Sequence, residues 1–379
     1  LLPPGAIMRR RPFFAAFLSG RSGAATTVGR ISAQWSGAAA VAVLVAACGA
    51  RTGFEGSDVV YEGSDAAPYE GSDAAVPVGD AGQSQPQSVL LFGGLGPTPD
   101  GGDGAEDDTW IWTATDGWTE QHPPQSPSPR FGAMAASLGG DVVLFGGDGS
   151  VAETWDWNGT TWTQRQPGWS PPPLTSSVFA PMGQGLVLFG GYDWGTLYHD
   201  AWRWDGATWT HESPSPTPPA REAPAGAILD GSLVVFGGED VNLLPLADTW
   251  VYDGTSWTQM QPAHSPSPRR GAVAAAFGDK VVLFGGDTLP EPYGDWFSVD
   301  ETWVWDGTDW TQQHPTRSPD ARSFAGMAAA GGQVVLFGGG NFGGTFAQPV
   351  GTWTWDGTSW TEHTGPGPGP RNYPAMAGR

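Results

Sequence analysis

VVLFGG at residues 334–339, followed by TWTWDGTSWT at residues 352–361, decides how the chain is read. In W-x-W the two indoles stand at i and i+2, so they share one face of an extended strand. Asp356-Gly357 then reverses the chain and Trp360 opens the returning strand, which makes the motif a β-hairpin. VVLFGG is a short apolar run closed by glycine, the pattern of a buried strand whose end needs a backbone conformation that glycine adopts at little cost.

Both signals occur six times. The doublets are Gly93/Gly94, Gly146/Gly147, Gly190/Gly191, Gly237/Gly238, Gly285/Gly286 and Gly338/Gly339, spaced by 53, 44, 47, 48 and 53 residues. That mean period of about 49 residues falls in the range of radial β repeats. The hairpins carry Trp110/Trp112/Trp118, Trp155/Trp157/Trp162, Trp202/Trp204/Trp209, Trp250/Tyr252/Trp257, Trp303/Trp305/Trp310 and Trp353/Trp355/Trp360. They hold 17 of the 21 tryptophans, so tryptophan here is mainly architectural. A fourth strand per repeat comes from small-residue segments at 129–137, 176–182, 221–229, 269–277, 322–330 and 370–377.

The strand count fixes the topology. SVLLFGG, the first doublet strand, has no small-residue strand before it, and the last hairpin is followed by one too many. A ring satisfies that count: 370–377 completes the sheet begun by 88–94, and no sheet is left short of a strand. Alanine and glycine suit the strand nearest the axis, and the heavy rings suit the interfaces between sheets. The expectation is an all-β, six-bladed β-propeller with four antiparallel strands per blade, closed by the C-terminal strand on the N-terminal blade.

A doublet after an apolar run, followed by spaced aromatics ending in Trp, resembles the kelch repeat, and residues 87–379 look like a six-bladed kelch propeller. The departures are local: Leu174 stands where the other copies carry Arg, and the first hairpin has an extra residue.

The net charge of −22, with Lys280 as the only lysine, repels a phosphate backbone and excludes nucleic acid as a partner. Residues 1–48 read as an export signal. SGAAAVAVLVAA at 36–47 is too short to span a membrane but fits a signal-peptide core, and Val45-Ala46-Ala47-Cys48 resembles the bacterial lipobox. That resemblance implies lipidation at Cys48, the only cysteine, and a membrane-anchored place in the bacterial envelope, on the periplasmic or surface side of the outer membrane. An ordinary cleaved signal peptide and secretion are the alternative. Translation from Val28 or from Met8, with its twin-arginine-like Arg10-Arg11-Pro12-Phe13-Phe14, are two readings of the start. Residues 49–86, with EGSD at 55–58, 62–65 and 70–73 and no apolar stripe, read as a disordered acidic spacer.

Pro-rich connections such as HPPQSPSPR (122–130) and QPAHSPSPR (261–269) join one blade to the next as bracing spokes. At their inner ends stand Arg130, Arg221, Arg269, Arg322 and Arg371. In kelch proteins that bind acidic peptides similarly placed arginines contact the ligand, so the resemblance implies an anion-binding ring. The competing reading pairs each Arg with the acid that opens the third strand, at Asp108, Glu153, Asp200, Asp248 and Glu301. The loops from second to third strand are the other candidate surface, with Tyr192, Trp194, Tyr198, Trp296 and Phe297 outside the architectural motifs. Aromatics beside carboxylates suit a protein or a glycan.

Galactose-oxidase-like copper chemistry is excluded because the only cysteine lies in the leader, and the six histidines do not converge as metal ligands, so neither cofactor, metal nor catalytic residue is assigned. The expected function is a monomeric, lipid-anchored binding module. A carbohydrate-processing enzyme like the sialic-acid mutarotases, also built on six kelch blades, is the alternative.

Overall fold

The computed structural model describes residues 86–98, 102–289, 294–341 and 351–379. The expected export signal with Cys48 and, apart from Pro86, the expected spacer lie outside them. All described regular elements are strands, and they form six four-stranded antiparallel sheets. Blade one holds β1 (Val89–Pro97), β2 (Asp103–Thr113) and β3 (Gly117–Gln121). Blade two runs from β4 (Met134–Leu138) to β7 (Trp162–Arg165), blade three from β8 (Val178–Met182) to β11 (Trp209–Glu212), and blade four from β12 (Ala225–Leu229) to β15 (Trp257–Gln259). Blade five spans β16 (Val273–Phe277) to β21 (Trp310–Gln313), with β18 (Asp287–Thr288) and β19 (Phe297–Ser298) as a small hairpin inserted in its loop. Blade six runs from β22 (Gly326–Ala330) to β25 (Trp360–His363).

The ring closes as the strand count demands. β26 (Ala375–Gly378) is the innermost strand of blade one, pairing Phe92 with Ala375 and Val89 with Gly378. Beyond the ladder, Ser88 and Arg379 exchange backbone hydrogen bonds.

Packing repeats six times around the ring. The second strand of each blade carries four consecutive apolar residues that are buried because both its faces meet neighbouring sheets, as in Leu186–Phe189. Six apolar clusters each join one blade to the next, including blade six to blade one through Phe337, Ala330, Leu91 and Trp118. In each interface the Phe ending a second strand meets the third Trp of the following blade, with ring centroids 4.6–5.4 Å apart, from Phe189–Trp257 to Phe92–Trp162. Contacts of this kind add about 0.5–1.5 kcal/mol apiece beyond area burial.

Tryptophan indoles also tie blades by hydrogen bonds. Trp162 Nε1 donates to Thr109 Oγ1 in the third strand of the previous blade, and Trp209, Trp310, Trp360 and Trp118 do the same to Thr154, Thr249, Thr302 and Thr352. Blade four is the exception: Ala201 stands where the threonine would be, and the buried Trp257 Nε1 has no acceptor among the described residues.

Candidate functional site

The repeated arginines knit blades together. At each spoke end the backbone carbonyl accepts from the second glycine of the previous blade's doublet, as in Gly94 N to Arg130 O (3.0 Å) and Gly238 N to Arg269 O (2.9 Å). The side chain reaches forward to its own blade, where Nη1 donates to the first glycine's carbonyl: Arg130 to Gly146, Arg221 to Gly237, Arg269 to Gly285, Arg322 to Gly338 and Arg371 to Gly93. The doublets must be glycine for this approach, since a Cβ on Gly93 (φ +60°) would stand 2.5 Å from Arg130 O.

Four of the five guanidinium groups then meet the acid that opens a third strand. Arg221 binds Asp248 in two-pronged fashion at 2.7 and 2.8 Å, Arg371 binds Asp108 likewise, Arg130 reaches Glu153 at 2.6 Å and Arg269 reaches Glu301 at 2.5 Å. Burial works against ionisation of Glu153, Asp248 and Glu301, but the paired guanidinium and the neighbouring Trp N–H outweigh it and hold these carboxyls below their usual range. In blade three Leu174 occupies the arginine position, and Asp200 contacts His211 instead. Blade six has Gly351 before Thr352 rather than an acid; Arg322 has no ion pair to a described carboxylate, and burial lowers it to about 10.

The five arginines expected at a ligand face are therefore enclosed inside the blades. Arg221 and Arg269 are 0% exposed. The spokes are fastened too: Ser126, Ser170, Thr217, Ser265 and Ser318 each donate to the carbonyl just before the acid position, at 3.1–3.3 Å.

Two residues beyond each spoke position the chain enters the left-handed region, at Gly132, Ser176, Ala223, Gly271, Phe324 and Tyr373. These six residues form a closed ring of backbone hydrogen bonds around the axis. Ser176 N donates to Gly132 O, Ala223 to Ser176, Gly271 to Ala223, Phe324 to Gly271, Tyr373 to Phe324, and Gly132 back to Tyr373, at 2.8–3.3 Å. Phe324 and Tyr373 stack at 4.4 Å.

Beside this ring lies a polar cluster that the sequence reading missed. Arg270, the residue after a spoke arginine, forms an ion pair with the buried Glu239 and lies 4.0 Å from the Trp296 ring centroid. Glu222 bridges to Glu239, and Arg270 to Asp287, through backbone pairing. Asp287 is fully buried; Ser298 Oγ donates to its Oδ1 at 2.7 Å. Its Oδ2 accepts no hydrogen bond among the described residues, although the Ser323 hydroxyl lies close enough to be felt. Burial raises Glu222, Asp287 and the Tyr373 phenol, and pushes Glu239 up to about 7 against the pull of Arg270. Three carboxyls thus share one guanidinium.

The aromatic candidates surround the same end of the ring. Tyr198 donates to Asp193 at 2.7 Å, and Tyr192 meets Trp194 edge-on at 5.8 Å. Trp194 Nε1 donates to Asp148 O in the neighbouring blade's loop while its ring is 42% exposed. Trp296 is half-buried on Arg270, and Phe297 is 40% exposed. Blade four adds Val241, Leu243 and Leu244, all exposed, which the sequence reading did not single out. Among the described residues no group of His, Cys, Asp and Glu side chains could hold a metal ion.

A closed ring of six four-stranded antiparallel blades defines a β-propeller. The family model described as the KLHDC2/KLHL20/DRC7 Kelch-repeats domain matches residues 82–286, more than half of the chain, and the chain belongs to this kelch-repeat family. No curated protein matches it.

Proposed function

We propose that this chain is a kelch protein-interaction module, tethered in a bacterial envelope through lipid on Cys48, that engages its partner with the loop face of blades three to five. The observation that carries the reading is the clustering of exposed apolar side chains there: Trp194, Val241, Leu243, Leu244 and Phe297 come from three consecutive second-to-third-strand loops. Exposed apolar groups gathered around one opening of a rigid scaffold are the usual mark of a docking surface. A glycan ligand would use the same aromatics. The carbohydrate-processing alternative draws less support, because the arginines it would need for a carboxylated sugar are enclosed in the blades.

The test is capture from an envelope extract with the full chain and with a Leu243→Asp/Leu244→Asp variant, alongside a glycan array. A protein retained by the first and lost from the second supports the reading. Selective glycan retention, or capture indifferent to the variant, overturns it. For the tether, metabolic labelling with an alkynyl fatty acid should mark the chain and should fail in Cys48→Ser.

A further inference from the structure

The apolar tips and the acidic cluster belong to the same loops. In blade four the loop begins at buried Glu239 and rises within a few residues to Leu243 and Leu244. Asp240 holds that tip outward, its Oδ1 accepting from Asn242 N at 2.8 Å and Leu244 N at 3.0 Å, so the leucines are presented to solvent by a fixed turn. In blade five Asp287 pairs with Ser298 and Thr288 with Phe297, which places a buried carboxylate at the root of the hairpin and an exposed ring beside it. Charge is out of balance at the roots. Arg270 is matched by Glu239, leaving Glu222 and Asp287 without a cation of their own, and the fully buried Asp287 has only the hydroxyls of Ser298 and Ser323 beside it. A carboxylate buried without a counter-charge is costly to ionise unless a cation arrives.

We infer that the cluster and the apolar tips form one docking site for a basic, apolar segment of a partner protein, in which a lysine or arginine enters toward Glu222 and Asp287 while leucine-like or aromatic side chains cover Trp194, Leu243, Leu244 and Phe297. This rests on the loop face being the protein-binding face and names the chemistry it selects. An acidic segment meets three carboxyls at the opening and a molecule of net charge −22 around it, whereas a basic one is steered inward by both. An uncharged apolar segment would cover the tips and leave Glu222 and Asp287 without a cation. Burial holds Glu222, Glu239 and Asp287 above their ordinary range, with Arg270, Asp240 and Tyr373 as the other titratable groups facing them. An incoming cation favours their ionised forms, so docking releases protons and weakens as the pH is lowered.

The probe is a phage-displayed random dodecapeptide library selected on the full chain. The expected winners carry lysine or arginine close to leucine, phenylalanine or tryptophan, bind at least tenfold more weakly to Glu222→Gln and to Asp287→Asn, and bind more weakly at pH 5.5 than at pH 8. Glu222 is partly exposed, so its variant stands as the test if Asp287→Asn fails to fold. Winners that carry no cation, or basic winners indifferent to Glu222→Gln, overturn this inference; if those peptides are lost from Leu243→Asp/Leu244→Asp, the loop-face reading survives it. Winners untouched by the leucine variant, or no enrichment at all, overturn both.

Discussion

Two sets of charged residues sit at the same end of the propeller and are built on opposite terms. Each spoke arginine is locked into a blade by its own carbonyl, a glycine carbonyl and, in four cases, a dedicated acid. At the mouth, three carboxyls lean on Arg270 alone, and the cluster arises once, from blades four and five with Tyr373 of the closing segment. What is repeated with its partner is structure; what occurs once and is left short of a partner is where a ligand can act.

The comparison is tested hardest by breaking a spoke. Arg221→Leu should lower the unfolding free energy by about 3–5 kcal/mol, because Asp248 stays behind without its guanidinium; adding Asp248→Ala should recover part of that. Urea midpoints for the pair decide the matter, and an additive double variant would mean that the two do not act as a unit.

pH separates the two sets next. Glu239 has its folded value raised to about 7, so the folded chain holds that proton more tightly than the unfolded chain does. The stability it contributes is complete below its unfolded value and is lost as the pH rises through 7, up to about 3 kcal/mol. Glu153, Asp248 and Glu301 run the other way: held low, they stabilise above their unfolded values and lose that effect as the solution becomes strongly acidic. Equilibrium unfolding from pH 4.5 to 8 should therefore show a declining limb, flattened in Glu239→Gln.

Amide replacements should then split by location. Glu301→Gln at a spoke is expected to cost about 1.5–3 kcal/mol, the range for a hydrogen bond to a charged group. Asp287→Asn at the mouth should be neutral or stabilise by about 1 kcal/mol at pH 8, since it removes a buried charge short of donors. The smallest effect concerns blade three: Ala201→Thr would supply Trp257 Nε1 with the acceptor its five counterparts have, worth about 1 kcal/mol in thermal unfolding.

Periodicity made the ring readable before any coordinates. Trp353, Trp355 and Trp360 with their counterparts fixed the hairpins, and the surplus segment at 370–377 fixed the closure seen as β26. The acids named as possible arginine partners were legible for the same reason, as copies at one offset; Asp200 alone turns to His211, because its blade carries Leu174. The mouth was illegible because it is made of exceptions. Glu222 and Arg270 occupy one position in two successive repeats with nothing in common, and their meeting with Tyr373 depends on six chain crossings converging at an axis. One signal was available, Arg270 doubling an arginine that elsewhere stands alone; acids directly after a doublet occur at Glu239 and Asp287 but also at Asp148.

The hydrogen-bonded loop of six left-handed residues includes Tyr373, which belongs to the closing segment. On a ribosome, blades two to six can form as they emerge, but the loop stays open until the closing segment with Tyr373 and β26 has been made. The molecule therefore gains its complete central opening in one late event, and recognition of a partner there doubles as a report that the whole ring has been made and closed.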